Sequence, residues 1–248
     1  MNQTLAATVL VLGAASLAAD VETLRSYSAN AYALDGGDLL YVERHVETWR
    51  EGRLAERQVS YEDPAGHSIA EKTVRYGESA EAPSFDMVDS RVGLREGARV
   101  EGEEVSLYSG PSSGRTRERT MDKPRFAVVD AGFDAFMLNN FDSVLAGESI
   151  EFDFAVPALR RFFRFELQPQ GETLYEGEAA VSVKMRPAAS ILRWLVDPID
   201  LVYSREGRLL EFRGLANVCD EEGDRYEARI VFNYSPATPG GALLGSAP

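Results

Sequence analysis

The chain has 248 residues, 44% of them hydrophobic, enough for a buried core and too many for a disordered polyelectrolyte. Asp and Glu outnumber Lys and Arg by 40 to 26, a formal charge of −14 that opposes binding to nucleic acid or to an anionic membrane surface. The single cysteine, Cys219, excludes an intramolecular disulfide, so the core must hold the fold unaided.

Residues 1–19 have the shape of a secretory signal. An unbroken apolar or small run from Leu5 to Ala19 is followed by the first charge, Asp20. About 15 such residues fall short of the roughly 20 that span a bilayer, and Ser16 with Ala18, or Leu17 with Ala19, suits a cleavage site. The n-region carries no Lys or Arg, which leaves an uncleaved anchor as the alternative. No cysteine lies near the cut, so a lipid-anchored mature form is not implied. The expectation is a soluble periplasmic or secreted protein.

The mature chain then reads as a strand meander. Tyr27 to Leu34 turns through Asp35-Gly36-Gly37-Asp38 into Leu39 to Arg50. Glu51-Gly52 leads to Arg53 to Tyr61, and Asp63-Pro64-Ala65-Gly66 to Ser68 to Tyr76. His45 shares a strand face with Tyr41 and Trp49 and reads as a structural histidine. Residues 77–120 are loop-rich and charged, with weak strand signals at Phe85 to Leu94 and Val105 to Tyr108.

Gly110-Pro111-Ser112-Ser113-Gly114 matches the G-x-S-x-G pattern of a hydrolase nucleophile elbow. That pattern needs a helix after it and a histidine downstream; here a charged run follows and both His45 and His67 precede. It reads as a hairpin loop, and the basic run Arg115, Arg117, Arg119, Lys123 and Arg125 as a solvated strand or loop. Two histidines, one cysteine and acidic runs without calcium-loop spacing give no metal site, and no cofactor motif is present.

Asp130 is placed to cap a helix from Ala131 to Ala146 with Phe133, Phe136, Met137, Phe141, Val144 and Leu145 on one face and Gly147 as its stop. Ile150, Phe152, Phe154 and Val156 alternate with acidic residues. The same period recurs in Val181-Val183-Met185, Leu201-Tyr203 and Tyr226 to Tyr234, so the C-terminal half is a sheet with one apolar face. A shorter helix is expected from Ala188 to Val196, between Pro187 and Asp197-Pro198. Residues 235–248, all Pro, Gly, Ala, Ser, Thr and Leu, read as a disordered tail.

The fold expected is therefore mainly β. A curved antiparallel sheet or half-barrel, a single domain over 20–234, carries two short helices packed on its apolar face. Val59-Ser60-Tyr61-Glu62-Asp63-Pro64-Ala65-Gly66, Val129-Asp130-Ala131-Gly132-Phe133-Asp134 and Asp197-Pro198-Ile199-Asp200-Leu201 with Phe212 to Asn217 resemble an uncharacterised family of exported bacterial proteins. In leader, acidic charge and curved sheet the chain is also similar to periplasmic lipoprotein and lipid carriers of the Lol type. The crowding of aromatic and methionine side chains between Phe133 and Trp194 points either to a solid core or to a cavity for a hydrophobic ligand such as a lipid, acyl chain or lipoprotein. The residues to line its site are Phe133, Met137, Phe141, Phe152, Phe154, Trp194 and Ile230. A carboxylate-dependent hydrolase and a non-catalytic envelope assembly factor are the alternatives. N-terminal sequencing of exported protein is expected to begin near Ala19 or Asp20; an intact Met1 in the membrane fraction refutes cleavage.

Overall fold

The computed structural model describes residues 22–188 and 197–234. The helix expected at 188–196 lies, Ala188 apart, outside them, with Trp194, and so do the expected signal segment at 1–19 and the expected tail at 235–248. The rest forms one open, curved sheet of 15 strands.

Eight strands follow one another as antiparallel neighbours: β1 (Glu22–Ala33), β2 (Leu39–Arg50), β3 (Arg53–Glu62), β4 (Ser68–Arg75), β5 (Ser84–Asp89), β6 (Leu94–Glu101), β7 (Glu104–Pro111) and β8 (Arg117–Asp122). The β2–β3 connection is tight because Glu51 (φ 50°) and Gly52 (φ 76°) both take the left-handed region, the requirement of a type I′ hairpin. At the next turn Asp63 Oδ1 accepts from the amides of Ala65 (2.9 Å) and His67 (2.8 Å). The segment 77–120 holds four strands rather than loops. Its signal is obscured because Asp89 and Glu96 are charged and yet point inward.

The second half comprises β9 (Ala127–Val128), α1 (Gly132–Asn139), α2 (Phe141–Leu145), β10 (Ile150–Val156), β11 (Arg161–Tyr175), β12 (Glu178–Pro187), β13 (Ile199–Ser204), β14 (Leu209–Cys219) and β15 (Arg225–Asn233). Across the sheet the order is β8 to β1, then β15 back to β9. A strict meander of an odd number of strands would bring the first and last together in parallel. The parallel pairing of β9 with β10, crossed by the two helices, reverses the parity and lets β15 meet β1 antiparallel. The free edges, β8 and β9, are joined by residues 123–126.

The expected helix from Ala131 to Ala146 is divided at Asn140 (φ −113°, ψ 9°). The cause is local: Asn140 Nδ2 donates to the Phe136 carbonyl (2.8 Å), competing with the helical backbone. Asp130 does not cap the helix. Its φ is 44°, its carboxylate meets Lys72, and Ala131 is the N-cap residue, without a side-chain cap bond.

Two apolar clusters result. In one, Phe136, Met137, Phe141 and Val144 of the helices pack on Phe152, Phe165, Leu167, Val183, Leu201 and Tyr203; the Phe136 and Phe152 ring centroids lie 4.6 Å apart. The other joins β1–β7 to β14–β15 through small residues, among them Ala29, Ala31, Ala98, Ala216 and Ala228, around Tyr41 and Tyr61. Small side chains let facing strands of the open, curved sheet approach closely. Between them the Cys219 amide donates to Asp89 (3.2 Å) and Arg225 pairs with Glu96.

Gly132 begins α1 against the backbone of Glu81, where a Cβ would strike the Glu81 carbonyl and the Pro83 ring. Gly132→Ala is expected to destabilise by about 1–3 kcal/mol or more, read as a lower urea midpoint at unchanged slope. An unchanged midpoint would show that the helix start has room to shift.

Candidate functional site

On β2 the period of two carries Tyr41, Glu43, His45 and Glu47 to the inner face, where each is buried, while Val46 on the other face is exposed. Neighbouring strands add Arg57 and Tyr61 from β3 and Lys72 from β4, all inward and buried. A strand with carboxylates inside and a valine outside marks an interior that is not simply a hydrophobic core. Buried charges call for partners, and the two buried cations, Arg57 and Lys72, have theirs.

Arg57 is held from two sides. Its Nη2 and Nε donate to Glu47 Oε1 (2.8 and 3.1 Å), and its Nη1 donates to Asp134 Oδ2 in the first turn of α1 (2.6 Å). Glu47 Oε2 accepts in addition from the Trp49 indole (3.0 Å). Lys72 Nζ lies 3.1 and 3.0 Å from the two oxygens of Asp130, just before the helix. His45 Nε2 is 2.8 Å from Glu43 Oε2, and its ring stacks on Tyr27 at 4.4 Å with 9° between the planes.

Burial alone would lower the proton affinity of Arg57, but Asp134 first, then Tyr27, Tyr76 and Glu47, together outweigh it and hold the guanidinium well above its ordinary range. Burial pushes the phenols of Tyr27 and Tyr61 well up, so both remain neutral hydroxyls. Burial likewise raises the Cys219 thiol.

This polar group floors a cavity of about 230 Å³, whose other walls are Phe133, Phe154, Phe212, Ile230 and Phe232. A larger cleft of about 730 Å³ opens between β5–β6 and β10–β14, with Phe85, Met87, Phe154, Phe163, Phe165 and Met185 on its lining. The two share Asp130, Phe154, Met185, Leu215 and Asn217, so they adjoin.

Of the residues expected from the sequence, Phe133 and Ile230 line the smaller cavity and Phe154 lines both. Met137, Phe141 and Phe152 sit in the packed cluster between helices and sheet. Glu43, Glu47, Arg57, Lys72 and Asp134 were not foreseen. The signal was present in β2, where Glu43 and Glu47 fall two residues either side of His45 and so share its face. Ser112 lies in the β7–β8 hairpin turn, its amide bonded to the Gly93 carbonyl (2.8 Å). Among the described residues no three His, Cys, Asp or Glu side chains are grouped to hold a metal, and no helix is long and apolar enough to cross a membrane.

No family model matches the chain, and no curated protein matches it. Among solved structures it is similar to a β-barrel-like protein of the DUF1849 domain of unknown function from Brucella abortus. The TM-score is 0.50 at 7% identity, over 86% of this chain and 97% of that one, a likeness of fold alone. A second likeness, TM-score 0.24 at 8% identity over 87% and 83%, is to a Vibrio parahaemolyticus domain provisionally assigned to outer membrane lipoprotein sorting. That score is too low to carry an argument.

Arg57→Met leaves Glu47 buried without its cation and is expected to cost about 3–5 kcal/mol in chemical denaturation. The double change with Glu47→Met should recover at least half of that loss. A double variant as unstable as the single one would mean that packing, not charge, is what Arg57 supplies.

Proposed function

We propose that the chain is a binding or carrier module that holds a hydrophobic ligand, such as a lipid, an acyl chain or a lipoprotein's acyl group, in the cell envelope. The observation that supports this is the cleft of about 730 Å³, within the range of about 300–1,000 Å³ typical of ligand sites. Among the described residues its aromatic and methionine lining leaves this space open, although the adjacent space between helices and sheet is filled. Close packing is the rule for interiors, so apolar side chains kept apart over that volume serve an occupant rather than the fold. The formal charge of −14 favours a carrier that releases from anionic lipid over one that resides on it. Transfer of a lipid or lipoprotein through the periplasm, as in carriers of the Lol type, is the physiological form of this reading, with export supplied by the leader.

Leu215 lines both cavities yet is 51% exposed, so Leu215→Trp can intrude on the cleft with little effect on folding. It is expected to weaken binding of the neutral probe N-phenyl-1-naphthylamine by about tenfold. Phe141→Ala, in the packed cluster, should instead lower stability by about 3–5 kcal/mol and leave the affinity of the folded protein within about twofold. A wild-type protein that takes up no probe and yields no lipid on organic extraction and mass spectrometry refutes the carrier reading.

A further inference from the structure

The polar floor and the apolar cleft adjoin, so an occupant of both is an amphiphile, and the charges of the floor select its head. Arg57 is shared between two carboxylates, those of Glu47 and Asp134. Lys72 balances Asp130 alone. Glu43 then has no cation of its own: its partner is His45, and among the described residues its Oε1 accepts no hydrogen bond, although the side chain is only 10% exposed. The floor therefore carries an excess of negative charge, by two if His45 is neutral and by one if it is protonated. When the Nε2 proton of His45 points to Glu43, Nδ1 remains a bare, buried nitrogen without a partner.

The larger cleft repeats the pattern. Glu96, buried, gives Oε1 to Arg225 and leaves Oε2 buried without a hydrogen bond. Carboxylates, Asp197 and Glu227 among them, outnumber the two guanidiniums, Arg213 and Arg225, on the lining. What both sites hold in surplus is carboxylates over cations, beside the neutral donors Tyr27, Tyr61 and Asn217.

We propose that the polar floor binds the ammonium of an amine-headed amphiphile, with Glu43 as its counter-ion and the alkyl chain lying in the larger cleft. This rests on the carrier reading and adds the sign and chemistry of the head group. An ammonium brings three donors and a positive charge to a carboxylate already desolvated by the fold, which makes a charge-assisted bond without a new burial cost on the protein side. Tyr27, Phe133, Phe232 and Tyr234 line the same cavity, and aromatic rings favour a cation further. A phosphate or fatty-acid carboxylate would meet like charge, with Arg57 and Lys72 already committed.

The test uses three chain-matched probes below their micelle concentrations at pH 7: tetradecylamine, tetradecanol and myristate, each displacing N-phenyl-1-naphthylamine from the full chain. Tetradecylamine is expected to bind at least about tenfold more tightly than tetradecanol, and myristate more weakly than either. Glu43→Gln keeps a carbonyl oxygen for the His45 bond. It should lower tetradecylamine affinity about tenfold and leave tetradecanol within about twofold, which separates Glu43 from general attraction to an acidic protein. Tetradecanol binding as well as tetradecylamine, myristate binding best, or an amine affinity that Glu43→Gln leaves unchanged each overturns the head-group assignment and leaves the carrier reading standing. Failure of all three probes and of the naphthylamine removes the carrier reading and this one with it. The preference of the wild-type protein decides the matter even if Glu43→Gln does not fold.

Discussion

The guanidinium of Arg57 ties the two halves of the molecule together. It projects from β3 of the first half, takes Glu47 from the neighbouring strand, and reaches Asp134 in a helix 77 residues further along the chain. Lys72 and Asp130 repeat the link over 58 residues. These contacts set where α1 begins, and α1 in turn places Phe136 and Met137 on the sheet of the second half. A lysine in place of Arg57 would supply the charge but not the planar fork that serves two carboxylates at once. Desolvating such charges is expensive, so the geometry has to be good; five hydrogen bonds at the Glu47 and Asp130 carboxylates and at Arg57 lie between 2.6 and 3.1 Å.

That same helix divides the interior into a filled part and an open part. On one side Phe136 and Met137, joined by Phe141 of α2, close against Phe152, Leu167 and Tyr203. On the other, Phe133 and the two aspartates face the cavities, together with Phe154 from the sheet. One short helix thus serves as a core element and as a wall of the site, and the break at Asn140 ends it before it would cover more.

Much of the fold was legible in the sequence because turn chemistry and alternation are local. Glu51-Gly52 and Asp63 to Gly66 mark hairpins, and Ile150-Phe152-Phe154 declares its inner face without reference to anything distant. The segment 77–120 was harder, since Asp89 and Glu96 interrupt the apolar face of β5 and β6 for reasons that appear only when Cys219 and Arg225 arrive from the other end of the chain. The site was harder still. An apolar stripe at helical spacing points to Met137 and Phe141 and strand alternation to Phe152, all of which the structure packs into one cluster, whereas Glu43 and Arg57, being charged, carry no such apolar signal. In a sheet curled widely enough to leave internal space, the inner face need not be apolar, and only the period of two, followed through Glu43, His45 and Glu47, reveals it.

The order of the strands also has a consequence for how the chain reaches this state. Every pairing but one joins strands that are neighbours in sequence, so two separate meanders can assemble from hairpins at little entropic cost. The exception is β1 with β15, where Ser28 meets Asn233 and Ala33 meets Ala228. That single closure spans nearly the whole of the described chain, and the ion pairs at Arg57 and Lys72 must find their partners in the same event. The folding barrier should therefore concentrate at one late docking of two preformed halves. A circular permutant opened between β8 and β9 and joined from β15 to β1 would turn that distant pairing into one more hairpin.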